Sequence, residues 1–153
     1  MTQLKVIDVM LKQLITLILL TLTIAPTHAA EHTVKMLNQS EWGYMSFEPS
    51  FLKVKVGDSV TFEPTTPGHN AVTINYMIPT DANRYRGEIG QPITMTINKE
   101  GFYGIECAPH LTMGMVMIIQ AGEGDITQFK IPKTLPKQAK RRFNDIKEYA
   151  ENR

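Results

Sequence analysis

The 153-residue sequence has one cysteine, Cys107, and four histidines. A lone cysteine excludes an intrachain disulfide framework and every zinc or iron–sulfur centre built from several thiolates. Charge of one sign is lacking too: 16 Lys and Arg stand against 15 Asp and Glu, so nothing invites a polyanion such as nucleic acid. Mean hydropathy of -0.16 excludes a multi-span membrane protein, and 42% hydrophobic residues exclude global disorder.

What is there begins with an address. Lys5 and Lys12 precede the apolar run Leu14–Ala25, which is too short for a membrane span. Thr27 and Ala29 then fit the small-x-small pattern of a signal peptidase site. The expected leader is residues 1–29, cut after Ala29, with Ala30 as the rival position. Removing it takes away Lys5, Lys12, Asp8 and His28. The mature chain then carries 14 basic and 14 acidic residues, no net charge, and His32, His69 and His110. Its expected location is the bacterial periplasm, with no membrane insertion after cleavage.

From residue 31 to about 120, short period-two runs alternate with proline and glycine. Strands are expected at 32–37, 51–56, 59–63, 71–74, 93–97, 101–105 and 115–119, with 51–56 and 59–63 pairing as a hairpin about Gly57-Asp58. This pattern predicts an antiparallel β-sandwich or barrel. Residues 75–91 break it and read as a loop with one helical turn. Beyond Pro136, the residues Ala139, Phe143, Ile146 and Ala150 mark one face of an amphipathic helix, expected to lie across one end of the sandwich. Lys137, Lys140, Arg141 and Arg142 read as its solvated face.

The chemistry concentrates in Cys107-Ala108-Pro109-His110-Leu111-Thr112-Met113-Gly114-Met115. A thiolate and an imidazole three residues apart can converge on one ion from a tight loop, with a thioether at Met113 or Met115 close by. A second imidazole must come from His69 or His32. Cysteine, two histidines and a weakly held methionine form the ligand set of a blue-copper electron-transfer centre, because that mixture suits both copper oxidation states. Met113, Met115 and Met117 could equally share one core face. Two other readings stay open. One is a thiol enzyme with Cys107 as nucleophile, for which the sequence supplies no orienting group. The other is a periplasmic copper carrier or chaperone with no electron-transfer duty.

Together with Met36–Asn38, Phe47–Pro49, Val56–Asp58, Val60–Phe62, Gly68–Asn70, Met77–Pro79, Tyr103-Gly104 and the helical tail, the Cys107–Val116 run resembles the pseudoazurins, small blue-copper proteins of the cupredoxin family. The resemblance covers residues 31 to 152. It implies an all-β, eight-stranded Greek-key cupredoxin sandwich over residues 30–121, with a C-terminal helical extension over 122–153 packed on it. It also implies one type 1 copper held by His69, Cys107, His110 and Met115, and an electron carrier that is not an enzyme. Met115 is preferred to Met113 because pseudoazurins place the methionine five residues after the second histidine. Asn70 would tie the His69 loop to the Cys107 loop, with its N–H reaching the sulfur. Asn38 would brace the same region, and Met45 would lie near the exposed histidine. Electrons would pass through His110 within a patch of Pro109, Leu111 and Met113. Partners would be redox proteins docking briefly: a copper nitrite reductase, a cytochrome or a dehydrogenase. The chain departs from the family at Gln39, Pro67 and Glu106, where lysines often ring this patch. Weak salt dependence of partner association is therefore expected.

Overall fold

The computed structural model describes residues 2–21 and 29–153. Helix α1 (Thr2–Thr21) covers part of the expected leader. Thr27 of the cleavage pattern lies outside the described residues, whereas Ala29 and Ala30 lie within them and are exposed. Among the described residues no helix is long and apolar enough to cross a membrane.

Eight strands follow: β1 (Glu31–Ser40), β2 (Gly43–Glu48), β3 (Phe51–Val54), β4 (Ser59–Glu63), β5 (Val72–Thr73), β6 (Ile93–Thr96), β7 (Gly101–Glu106) and β8 (Val116–Ala121). They form two four-stranded sheets, ordered β2-β1-β4-β6 and β3-β8-β7-β5. Alternation builds the inner faces. Val34 and Met36 of β1, Val60 and Phe62 of β4, and Tyr103 and Ile105 of β7 are buried in one cluster. Phe47 and Phe62 meet edge to face there, with ring centroids 5.7 Å apart.

Several expectations need correction. The sandwich is mixed rather than antiparallel, because β1 pairs parallel with β4 and β3 parallel with β8. The 51–56 and 59–63 segments are not a hairpin: Gly57-Asp58 is a corner that carries the chain from one sheet to the other. Period-two alternation is the same in a hairpin and in a corner, so pattern alone does not separate them. Strand β2 escaped the pattern because Gly43 (φ 97°) and Met45 (φ 49°) interrupt it. Residues 75–91 hold hydrogen-bonded turns, such as Met77 N–H to Ile74 C=O at 2.8 Å, and a single bridge from Val72 to Arg86, but no helical turn.

Helix α2 (Lys137–Glu151) starts directly after Pro136, as the sequence predicts. It covers the outer face of β8 rather than an end of the sandwich. Ala139, Phe143 and Ile146 pack with Val116 and Ile118 in a second buried cluster. Residues 117, 119 and 121 of the same strand face the first cluster. Burial on both faces explains why β8 reads as a continuous apolar run. The helix also touches the loop before β8. Gly114, at φ +87°, sits where an added Cβ would come within 2.9 Å of the Gln138 carbonyl oxygen.

Candidate metal centre

Two loops at one end of the sandwich carry the reactive side chains. The first leads into β5 and bears His69. The second joins β7 to β8, and its residues Ala108–Met113 form a 3-10 turn with Pro109 at its start. The backbone closes this loop into a knot. His110 N–H donates to Cys107 C=O at 3.0 Å, Met115 N–H to His110 C=O at 3.2 Å, and Cys107 N–H to Met115 C=O at 3.0 Å.

Among the described residues, His69, Cys107 and His110 form a group whose ligand atoms all lie within 4.8 Å of one another. The two Nδ1 atoms are 3.1 Å apart, and Cys107 Sγ lies 3.8 Å from His69 Nδ1 and 3.5 Å from His110 Nδ1. His69, Cys107 and Met115 have no exposed surface. His110 is half-buried and provides the group's edge to solvent.

The partners of His69 decide which of its nitrogens can bind. Nε2 lies 2.8 Å from Asn38 Oδ1 and 3.2 Å from Thr66 Oγ1. The amide oxygen only accepts, so Nε2 carries the hydrogen and Nδ1 presents its lone pair to the centre. Thr66 in turn accepts the Asn38 N–H at 2.8 Å. Burial, with His110 beside it, pushes His69 below its ordinary pKa and keeps the ring neutral, as a ligand must be. Burial pushes the Cys107 thiol up, while the backbone N–H groups of Asn70 and His110 oppose it by favouring the thiolate.

Asn70 joins three segments. Its Oδ1 accepts the Ala108 N–H at 2.9 Å, and its Nδ2 donates to Gly87 C=O at 2.9 Å. The His69 carbonyl takes the Gly90 N–H at 2.8 Å, so the 87–90 turn is a third support for the centre. Sequence reasoning reached Asn38 and Asn70. It missed Thr66 and the 87–90 turn, because a loop threonine and two loop glycines carry no signal until the chain is folded.

Of the expected patch, Pro109 is exposed and Met113 is 49% exposed. Leu111 packs instead against the α2 cluster, and Met45 packs on the inner core. Met113 ends the 3-10 turn and is exposed, whereas Met115, beyond the left-handed Gly114 and directly before β8, is buried. Arg141 and the half-buried Arg142 line a cavity of about 290 Å³ with Trp42, Tyr44 and Met113, so part of the basic cluster adjoins the patch.

Two imidazoles, one thiol and a buried thioether, carried by these two loops, suit a metal that accepts soft and borderline donors and cycles between two charges. Copper-binding proteins of the plastocyanin/azurin family match this sequence over residues 34–122. The chain belongs to that family. It is 38% identical to a pseudoazurin of Paracoccus pantotrophus over 122 residues, which cover 78% of this chain and 83% of the relative. It is 44% identical to a pseudoazurin of Methylorubrum extorquens over 101 residues, covering 66% and 68%. The solved pseudoazurin structure from Sinorhizobium meliloti superposes with a TM-score of 0.74 at 35% identity, over 80% of this chain and 97% of that one. As in this family, the donor set fits a single type 1 copper ion.

Proposed function

We propose that this chain is a periplasmic one-electron carrier whose copper is held by His69, Cys107, His110 and Met115. The observation that carries the reading is the convergence of three ligand atoms within 4.8 Å in a pocket closed except at His110. When bound, the copper supplies exchange of one electron between Cu(II) and Cu(I). The residues do the rest. Asn38 and Thr66 fix the His69 ring, Asn70 holds the two loops at one spacing, and the Cys107–Met115 knot resists rearrangement. A site that moves little between charge states exchanges electrons with little reorganisation. Burial of His69, Cys107 and Met115 excludes water. His110, with Pro109 and Met113 beside it, gives an apolar contact suited to brief docking. Partners of this kind include a copper nitrite reductase, a cytochrome or a dehydrogenase.

Residues 1–29 would direct export and be removed after Ala29. The test is the visible spectrum of the exported protein after Cu(II) addition, before and after ascorbate. An intense blue thiolate-to-copper band that bleaches on reduction is expected. A pale spectrum would reject the carrier reading and reopen copper storage or thiol chemistry.

A further inference from the structure

At the far end of β1 from Asn38, Asp58 collects three donors. Its Oδ1 accepts the Ala30 N–H at 2.8 Å, and its Oδ2 accepts the Lys55 N–H at 2.9 Å and meets His32 Nε2 at 3.0 Å. One carboxylate thus holds the Ala30 nitrogen and the His32 ring together. Its contact is with Nε2, which leaves His32 Nδ1 unused by it. Ala30 and Glu31 are exposed, and the His32 side chain is 26% exposed. None of these residues belongs to the centre described above.

We propose that removal of the leader after Ala29 creates a second metal site, in which the new amino terminus Ala30-Glu31-His32 chelates Cu(II) or Ni(II) in a plane of four nitrogens. The inference rests on the export reading. The four donors are the α-amine of Ala30, the backbone nitrogens of Glu31 and His32, and His32 Nδ1. Successive backbone nitrogens are separated by one Cα and one carbonyl carbon, so each pair closes a five-membered ring on the metal. From the His32 backbone nitrogen, Cα, Cβ and Cγ lead to Nδ1 and close a six-membered ring. Only a histidine at the third position fills the fourth corner in this way. Neither Glu31 nor His32 is proline, so both nitrogens can be freed of hydrogen.

Cu(II) and Ni(II) prefer square-planar or tetragonal nitrogen sites, whereas Zn(II) has no such preference. Binding releases one proton from the Ala30 ammonium and one from each of the two amides, while the neutral imidazole gives up none. The metal's oxidation state does not change.

The fold sets a competition for this terminus. The β1–β4 pairing begins at Glu31 opposite Ser59, and the Ala30 carbonyl accepts the Ser59 N–H at 2.9 Å. A planar chelate needs the backbone nitrogens of Glu31 and His32, so the first rungs of β1 must open. Asp58 and the metal therefore contend for the same amine, and weakening Asp58 should strengthen the chelate.

The experiment uses the exported protein, loaded with copper at the Cys107 centre and then titrated with Ni(II). Its intact mass is read first. A chain beginning at Ala30 should take up one further equivalent of Ni(II) with a yellow, square-planar spectrum. His32→Ala should abolish that uptake, Asp58→Asn should tighten it several-fold, and both variants should keep the blue band. A mass beginning at Glu31 would move His32 to the second position and overturn the site. So would a chain beginning at Ala30 that takes up no Ni(II), or uptake that survives His32→Ala. A mass that retains residues 1–29 would overturn the export reading itself, and this site with it.

Discussion

The two ends of β1 each hold a histidine by its Nε2, with opposite consequences. At one end His69 meets a neutral amide oxygen, that of Asn38, in a fully buried position. At the other His32 meets a carboxylate, that of Asp58, at the surface. Both acceptors put the hydrogen on Nε2, but the carboxylate also gathers the Ala30 and Lys55 N–H groups and adds a negative charge, whereas the amide oxygen adds none. Burial and the charge of the partner, more than the presence of the histidine, separate a ring enclosed for a redox metal from a ring tied to the start of a surface strand. The same strand also fixes the spacing, since Asn38 and His32 are set by one run of residues paired to β4 and β2.

The most severe break of this comparison is Cys107→Ser. It removes the thiolate and should abolish the blue band altogether, with the Asp58 end of β1 unaffected. An absorption titration with Cu(II) reads it, and a surviving intense band would place the thiolate chemistry elsewhere, which a one-cysteine chain does not allow. Next is Asn38→Ala. Without Oδ1, the His69 ring loses the acceptor that fixes its tautomer, and copper affinity should fall by about 10–100-fold, as removal of a ligand's hydrogen-bond partner typically does. Competition with a copper chelator measures it. Unchanged affinity would mean that Thr66 alone orients the ring.

Legibility in the sequence followed the rarity of the residues. One cysteine and four histidines leave few ways to build a metal site, so Cys107 and His110 could be named before any fold was known, and the family resemblance chose His69 over His32. The choice of Met115 over Met113 came from family spacing, and the structure buries the first and exposes the second. Strand positions were legible where alternation is clean, as in β1 and β4. Strand pairing was not. Nothing in residues 51–54 says that they lie parallel to β8, because that register is set by sheet closure over the whole chain. The hairpin expected at Gly57-Asp58 failed for the same reason, and Asp58 serves the start of β1 instead. Thr66 was illegible because its role exists only once Asn38 and His69 are brought beside it.

Asp58→Asn sharpens the comparison from the other end, with a smaller effect. The Asp58 carboxyl is held down to about 2, first by the Lys55 N–H, with burial opposing, and then by the Ala30 N–H and His32. A lowered folded-state pKa gives stability that is complete above the unfolded value of 3.8 and is lost as pH falls toward about 2. The substitution should therefore cost about 1–3 kcal/mol at neutral pH, through donors left poorly satisfied. The gap from the parent protein should close as pH falls from 3.8 to about 2. Urea midpoints of the metal-free proteins across that window read it; a gap that persists at the acid end would show that Asp58 acts through packing and not through its charge.

The smallest expected effect concerns the ligand end as a surface. With the proposed leader removed, the chain carries 14 basic and 14 acidic residues and has no net charge to steer a partner. Its electron-transfer rate with a redox partner should change by less than about threefold between low and physiological salt, where steered pairs change tenfold or more. A steep fall would mean that local charge outweighs the neutral total. The structure says where that charge would sit: Arg141 and Arg142 line the cavity that also holds Met113, Trp42 and Tyr44. Reversing Arg141, the more exposed of the two, would then flatten the salt dependence while the blue band stayed constant. A dependence unmoved by that change would point instead to the partner's own charge distribution, and the apolar contact around His110 would remain the basis of docking.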